Sequence, residues 1–329
     1  MNLLDASKKA TFLFRGVTNS ILLNTIHKRR YNLCDTLIIA GTTRSGSTWL
    51  AEIVSAHPQA GQIFEPISPT NVRSAKKTGF TFDTFLTPET DWPAGKNFME
   101  KVLRGQILTP WTTSQIPVSK TGKIRFLVVK FVRANLLLGW LTQNFPIKPP
   151  ALIIRHPCAI IASQLHKEWV PPKRMLLSNP FFANAPKLKQ MCEHLDQPEE
   201  LLTLKWCMRY YAPLSTPAPY PFHLMTYEGL VRDGEEEIQK LFSIWGMSPA
   251  KESFACLLQP SKTVTGISQI IRGSDPLSGW NKRLSDDQVK RVLEVVRMFN
   301  LDFYTKEFEP DFDRLHRLSN GTEKLTPVS

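Results

Sequence analysis

A run of small and hydroxylated residues follows the first strongly apolar segment of the chain. The run reads GTTRSGSTWL from Gly41 to Leu50, with a second glycine five residues after the first. This is the spacing of a phosphate-binding loop, G-x-x-x-x-G-K-[ST], in which backbone N–H groups and a helix N-terminus hold an anion. Ser47 stands where such a loop carries the lysine that reaches the β- and γ-phosphates of a nucleoside triphosphate. The loop therefore predicts a phosphate-like ligand other than ATP or GTP.

Side chains of this loop add to what its backbone offers an anion. Arg44 supplies a cation from inside the loop, and Ser47 and Thr48 supply hydroxyl groups. Trp49 presents a flat face on which a base can stack, although a position in the core explains the same tryptophan equally well. The loop is thus expected to bind a phosphate-bearing ligand through backbone and side chains together.

A second segment combines a strand end with a cation and a hydroxyl group. It reads ALIIRHPCAIIASQL, in which Arg155 ends an apolar run and Pro157 is suited to the first turn of a helix. Ser163 lies eight residues beyond Arg155, two turns into that helix. A guanidinium and a hydroxyl at this spacing can converge on a second phosphate. An arginine at a strand end can equally serve in a structural ion pair.

The elements that must position these residues alternate along the chain. Short apolar runs and helical patterns follow one another, which is typical of a parallel sheet with crossover helices on both faces, an α/β fold of P-loop-like type. The predicted strands are 36–40, 62–64, 125–130, 152–155 and 222–226. The predicted helices are 47–56, 134–144, 159–167, 199–212, 235–245 and 286–299.

One domain is the economical reading of this order. We expect a single α/β domain over residues 36–310, preceded by a helical extension over 1–35 and followed by a tail over 311–329. Two stretches, 67–123 and 169–198, are rich in proline or glycine and are predicted to be long irregular insertions. Insertions of this kind are often lids or substrate-contacting loops.

Several candidate site residues fall at the ends of predicted strands. Ligands of such sheets gather at the carboxyl ends of the strands. The residues at, or just after, those ends are Arg44, Glu65, Lys130, Arg155 and Tyr227. We therefore expect these side chains to lie around one site.

Charge and cysteine content restrict the kinds of ligand and binding site that we expect. The chain carries 41 basic and 29 acidic residues, a net charge of +12, which favours an anionic partner. We find no nucleic-acid-binding signature. The five cysteines are odd in number and form no C-x-x-C pair, so we predict no disulfide framework and no metal site.

The N-terminal segment leaves two interpretations open. Residues 10–30 combine an apolar helical stripe with the basic group His27-Lys28-Arg29-Arg30. This pattern suits a helix on a membrane surface, and it also suits a helix packed on the domain. The sequence contains no transmembrane run and no clear signal peptide, so we expect a cytoplasmic protein, which is peripheral to a membrane if residues 10–30 form a surface helix.

The two phosphate segments together resemble the sulfotransferases that use 3′-phosphoadenosine 5′-phosphosulfate (PAPS). In that family the first loop holds the 5′-phosphosulfate, and an arginine with a serine eight residues later holds the 3′-phosphate. The matching residues of the first motif are Arg44, Ser45, Gly46, Ser47, Thr48 and Trp49. Those of the second motif are Arg155 and Ser163. The resemblance implies PAPS as the sulfuryl donor and no metal.

Two looser matches extend the resemblance towards the C-terminus. TYEGL, from Thr226 to Leu230, resembles the strand end whose tyrosine packs near adenine, which points to Tyr227. The segment from Ile271 to Ser285 resembles a late loop that ends in Gly-Trp and closes on the 3′-phosphate in some members. The resemblance therefore suggests Arg272 as a further phosphate ligand.

The catalytic base separates the branches of this family. The cytosolic phenol and steroid enzymes place a histidine two residues after a strand-end lysine, but here Val132 follows Lys130 at that distance. The carbohydrate and tyrosylprotein branches resemble this chain more closely, and their base is a glutamate that corresponds to Glu65. Its neighbours Phe64 and Pro66 lead us to expect a raised pKa for Glu65. His156 and His166 are rival bases.

The resemblance implies an enzyme that moves a sulfuryl group from PAPS to an acceptor hydroxyl on a carbohydrate or glycolipid. The basic charge also suits an already anionic glycan, and peptide tyrosine is a further alternative. Glu65 would accept the hydroxyl proton, and Arg44 and Lys130 would neutralise developing charge. An ATP-dependent P-loop phosphotransferase and a catalytically inactive nucleotide-binding module are the alternatives.

Overall fold

The computed structural model describes residues 16–18, 20–21, 31–120, 122–166, 170–259 and 276–325. Arg272 and most of the segment 10–30 lie outside these residues. The described part of that segment contacts the domain, because the Thr113 hydroxyl donates to the carbonyl of Gly16 at 2.8 Å and lies 2.9 Å from the Ser20 hydroxyl. Within the described residues, no helix has the length and apolar character needed to span a membrane.

A parallel sheet of five strands organises the described part of the chain. Its order is β2-β3-β1-β4-β5. The strands are β1 (Thr36–Gly41), β2 (Ala60–Phe64), β3 (Phe126–Phe131), β4 (Ala151–Ile154) and β5 (His223–Thr226). Each of them overlaps a strand predicted from the sequence, so the predicted α/β class is confirmed.

The central strand β1 is apolar throughout because both of its faces are covered. Leu37 and Ile39 pack in one cluster, which includes residues of the first helix after the strand. Ile38 packs on the opposite face, in a cluster that includes Phe98 and Val102. Side chains along a strand alternate between the two faces, and apolar residues at consecutive positions therefore indicate a sheet buried on both sides.

Helices occupy both faces of this sheet. They are α1 (Ser47–Ser55), α2 (Arg73–Thr78), α3 (Pro93–Leu103), α4 (Leu138–Asn144), α5 (Pro157–Leu165), α6 (Lys173–Leu177), α7 (Pro186–Cys192), α8 (Pro198–Leu214), α9 (Tyr227–Arg232), α10 (Gly234–Ile244), α11 (Lys251–Leu257), α12 (Asp286–Met298) and α13 (Phe312–Asn320). The predicted helices are recovered with ends shifted by a few residues, and the one predicted from residue 134 begins as the 3-10 turn Asn135–Leu137.

The two segments predicted to be irregular insertions contain helices. Helices α2 and α3 lie within 67–123, and α6 and α7 lie within 169–198. Pro93 and Pro186 begin two of these helices. Proline fits the first turn because the N–H group it lacks has no partner inside the helix. These prolines mark helix starts, and the prediction of irregular insertions was wrong here.

The C-terminal segment from residue 311, predicted to be a tail, begins with helix α13. Asp311 accepts a hydrogen bond from the backbone N–H of Arg314 and so caps the N-terminus of α13. Leu315 and Leu318 of that helix are buried in the same cluster as α8 and α12. The apolar face of α13 therefore packs on the domain.

Candidate active site

The candidate site lies at the carboxyl end of β1, where the direction of the strand order reverses. The chain runs from β1 to β2 and β3 on one side of the sheet, and then crosses to β4 and β5 on the other side. Ligands of open parallel sheets bind at such a switch point. The loop after β1 lies between the ends of β3 and β4, so it can meet groups from both halves of the sheet.

The loop after β1 is held by hydrogen bonds to its own backbone and to helix α8. The backbone N–H of Ser45 donates to the carbonyl of Thr42 at 3.1 Å. The hydroxyl of Tyr210 accepts a hydrogen bond from the N–H of Thr42 at 3.3 Å and donates one to the carbonyl of Ile153 at 2.9 Å. Tyr210 thus joins the first loop to β4, from which the second phosphate segment begins.

Gly46 brings the start of α1 against an aromatic ring. It is the N-cap residue of α1 and has φ of 90°, in the left-handed region that favours glycine. A Cβ atom at this position would lie 2.5 Å from Cδ2 of Tyr227. The N-terminus of α1 and the tyrosine can approach one another only because residue 46 has no side chain.

We predict that Gly46→Ala will lower the free energy of unfolding by about 1–3 kcal/mol, because it adds both backbone strain and a steric clash. Urea unfolding measures this change. Gly122→Ala is the control, since an added Cβ at Gly122 would meet nothing within 4 Å. Equal stability of the two variants would contradict the prediction.

Tyr227 connects the two phosphate segments. Its ring centroid lies 5.8 Å from that of Trp49 and 3.9 Å below the guanidinium carbon of Arg155. Both rings are largely buried. For Trp49 the structure therefore favours a core position against Tyr227 over an open face for a base.

Direct hydrogen bonds also join the two segments. Arg44 donates through Nε to the hydroxyl of Ser163 at 2.8 Å, and Arg155 donates through a terminal nitrogen to the carbonyl of Arg44 at 3.2 Å. The Nε of Arg155 is buried and has no hydrogen-bond partner among the described residues. A buried N–H of this kind is costly unless a ligand accepts from it.

Three arginines, Arg44, Arg155 and Arg283, lie close to one another at this junction. Burial lowers the pKa of Arg44, and the charges of Arg155 and Arg283 lower it further. Burial and the charge of Arg155 likewise lower the pKa of Arg283. None of these arginines forms a salt bridge with any residue in the described part of the chain. Such a concentration of positive charge suits an anionic ligand.

The segment after residue 275 closes this region from one side. The indole of Trp280 stacks on the imidazole of His156, with ring centroids 4.8 Å apart. The carbonyl of Pro276 lies 3.5 Å from a terminal nitrogen of Arg155. Arg283 was not predicted from the sequence. It lies in the late loop that was expected to close on a phosphate, three residues after Trp280, and this position could have identified it as a candidate phosphate ligand.

His156 holds the backbone together and is not placed to act as a base. Its Nδ1 accepts from the N–H of Cys158, which fixes the proton on Nε2, where it is donated to the carbonyl of Thr305 at 3.0 Å. Burial lowers the pKa of His156 to about 4. The other rival, His166, is exposed just beyond the end of α5.

Glu65 and Lys130 form a buried pair at the ends of neighbouring strands. Phe64 and Lys130 are partners in the register of β2 and β3, which brings the next residue, Glu65, to the lysine. Lys130 Nζ lies 2.8 Å from Oε1 of Glu65, and Arg133 donates to Oε2 at 2.7 Å. Glu65 has φ of 42°, a left-handed conformation that is uncommon outside glycine.

The prediction that the pKa of Glu65 is raised was wrong. Burial does raise it, but the charges of Lys130 and Arg133 and their hydrogen bonds outweigh burial and lower the pKa of Glu65 below its ordinary value. Burial also lowers the pKa of Lys130, against the attraction of Glu65. The physical reason is that an opposite charge in direct contact favours the ionised carboxylate.

The remaining predicted residues of the first motif lie in the loop after β1 and in the first turn of α1. Ser45 is buried in the loop, and Ser47 and Thr48 begin α1. No group of His, Cys, Asp and Glu side chains suited to a metal ion is found among the described residues. The arrangement therefore combines cationic side chains that can bind anions with a carboxylate, Glu65, that can accept a proton.

No protein-family model matches the chain, and no curated protein matches it at a significant level. Among solved structures, the sulfotransferase domain of the Synechococcus PCC 7002 olefin synthase is 15% identical, covers 81% of this chain and 95% of its own, and has a TM-score of 0.42. The sulfotransferase domain from the curacin biosynthetic pathway is 17% identical, with coverage of 84% and 99% and a TM-score of 0.43. A mouse sulfotransferase complexed with 3′,5′-adenosine diphosphate (PAP) is 14% identical, covers 85% of this chain and 90% of its own, and has a TM-score of 0.39.

Proposed function

We propose that this protein transfers a sulfuryl group from PAPS to an acceptor hydroxyl, on a carbohydrate or glycolipid. The observation that carries the proposal is the 2.8 Å hydrogen bond between Arg44 and Ser163, which unites the two phosphate segments in one site. A P-loop site for ATP needs only the first segment. The second supplies a separate place for a 3′-phosphate, a group that distinguishes PAPS from ATP.

The residues present fit such a donor. The loop amides and the N-terminus of α1 would hold the 5′-phosphosulfate, while Arg155 and Ser163 would hold the 3′-phosphate. The unpartnered Nε of Arg155, and the lack of a salt bridge to Arg44, Arg155 or Arg283 among the described residues, are the features that favour anionic groups here. Arg283 adds a cation that Arg272, outside the described residues, was expected to supply. When bound, PAPS supplies the sulfuryl group and a phosphate leaving group.

The protein's own groups have distinct tasks in this proposal. Glu65 accepts the proton of the acceptor hydroxyl; it is ionised at neutral pH, although its lowered pKa makes it a weaker base than an ordinary glutamate. Lys130, fully buried beside it, and Arg44 neutralise the negative charge that develops on the transferring and leaving oxygens. These groups are fixed before the reaction, so little reorganisation accompanies the transfer of charge.

Thermal unfolding with 3′,5′-adenosine diphosphate (PAP), 5′-ADP and ATP tests the donor site. We predict stabilisation by PAP of about 2.7 kcal/mol at 100 times its dissociation constant, and much smaller effects of the other two nucleotides. Arg155→Ala should abolish the difference, because it removes the cation assigned to the 3′-phosphate. Arg125→Ala is the control, since Arg125 is exposed just before the amino end of β3.

Either of two results would contradict the proposed function. One is stabilisation by ATP that equals or exceeds that by PAP, which would indicate a nucleoside triphosphate site. The other is an Arg155→Ala variant that binds PAP as tightly as the wild type.

A further inference from the structure

Arg133 carries hydrogen-bond donors that no described residue uses. One terminal nitrogen donates to Glu65, and this is its only hydrogen bond in the described part of the chain. The guanidinium carbon lies 5.1 Å from the centroid of the Phe82 ring, and the side chain is 14% exposed. A guanidinium is a planar fork that binds carboxylate or sulfate oxygens in pairs. Arg133 therefore presents part of that fork next to the proposed base.

A second charged cluster, around Asp83, lies close to Arg133. Asp83 pairs with Arg209, whose Nε donates to it at 2.6 Å, and lies 3.6 Å from Nζ of Lys205. Burial lowers the pKa of Lys205 to about 8, helped by the charges of Arg209 and Arg133 and opposed by Asp83. Asp83 is one carboxylate against the two cations Lys205 and Arg209, so positive charge is in excess in this cluster.

This cluster is fixed in place by hydrogen bonds. The side-chain amide of Asn179 donates to the carbonyl of Asp83 at 2.7 Å, and Arg209 donates to the carbonyl of Phe82 at 3.2 Å. Lys205 and Arg209 belong to α8, which packs in the core. Lys205 and Arg209 are thus held near Arg133 by the domain and are not freely rotating surface side chains.

We propose that the acceptor carries an anionic group, a carboxylate or a sulfate, beside the hydroxyl that is sulfated, and that Arg133 binds this group. This inference rests on the proposed function. The nitrogen of Arg133 lies 2.7 Å from the Glu65 oxygen. A hydroxyl on Glu65 and an anion on Arg133 would therefore belong to the same sugar or to adjacent sugars. The substrate class is an acidic saccharide, such as one that contains a uronic acid.

A simpler role for Arg133 is to position Glu65 without binding the acceptor. The two roles differ in which acceptors they affect. If Arg133 only positions Glu65, its loss lowers the rate with every acceptor by the same factor. If it also binds an anion on the acceptor, its loss lowers the rate more for a charged acceptor than for its neutral counterpart.

The test compares p-nitrophenyl β-D-glucuronide with p-nitrophenyl β-D-glucoside, which differ in the carboxylate alone. We expect the wild type to favour the glucuronide in kcat/KM by about tenfold or more, as for a hydrogen-bonded charge pair. Arg133→Gln should bring this ratio close to one. Arg125→Gln, which removes the same charge beyond the amino end of β3, should leave the ratio unchanged. Arg133→Lys keeps the charge beside Glu65 and should retain only part of the preference.

Binding of both glycosides is measured by calorimetry with the protein alone and with PAP, so that the answer does not depend on turnover. The absence of a preference for the glucuronide, or a preference that survives in Arg133→Gln, would overturn the inference. Failure of the protein to bind PAP would instead overturn the proposed function. Glucuronide binding that depends on Arg133 would then still establish the anion site.

Discussion

Replacement of Lys130 by methionine is expected to lower kcat for sulfuryl transfer by about a hundredfold or more. Lys130 is fully buried, and its ammonium group is held by Glu65 at the end of β3. Loss of one fixed donor for developing negative charge typically costs about 3–4 kcal/mol in the activation barrier. Methionine fills a similar volume, and Glu65 keeps Arg133 as a partner, so the variant is expected to fold.

Steady-state kinetics at saturating PAPS measures this loss. Lys123→Met is the matched control, because Lys123 is exposed and precedes the same strand. The dissociation constant of PAP should change much less than kcat, since Lys130 acts mainly on charge that appears during transfer. Turnover within a few fold of the wild type would remove Lys130 from the mechanism.

Replacement of Glu65 by glutamine is expected to lower both turnover and stability. The amide cannot accept the acceptor proton, and loss of a general base typically lowers the rate by about 10²–10⁴-fold. It also leaves the buried ammonium of Lys130 without its carboxylate. Removal of one partner from a buried ion pair typically costs about 3–5 kcal/mol of folding free energy. Urea unfolding and kinetics measure the two effects separately, with the exposed Glu89→Gln as the control.

The stability difference between the wild type and Glu65→Gln should depend on pH in one direction. The folded state lowers the pKa of Glu65, because Lys130 and Arg133 outweigh the effect of burial. Its stabilisation is therefore fully present above the ordinary glutamate pKa and is lost as pH falls through the lowered value. The difference should be constant near neutrality and shrink under acid conditions. A difference that grows under acid conditions would contradict this assignment.

The sequence allows prediction of the elements and of the strand-end residues because both depend on local spacing. Gly41, Gly46 and the apolar run before them specify strand, loop and helix within fifteen residues. Arg155 and Ser163 likewise belong to one strand–helix unit. Parallel strands bring such ends to one edge of the sheet, so Glu65 and Lys130 could be expected to meet.

What the sequence did not reveal depends on contacts between distant segments. The pKa of Glu65 was judged from Phe64 and Pro66, whereas Arg133 and Lys130, more than sixty residues away, determine it. The pairing of Asp83 with α8 joins segments separated by more than a hundred residues and leaves no local pattern. Net charge alone indicated an anionic partner but could not show where the cations gather.

Strained backbone conformations at two residues of the proposed site connect activity with stability. Arg44 and Glu65 both have positive φ, and in the described part of the chain Asn300 is the one other non-glycine residue that does. A left-handed conformation of this kind typically costs about 1–3 kcal/mol, which glycine would relieve. Glycine at position 44 would relieve this strain, whereas glycine at position 65 would also leave the buried ammonium of Lys130 without its carboxylate. The first change would remove the guanidinium, and the second the carboxylate, on which the proposed chemistry depends.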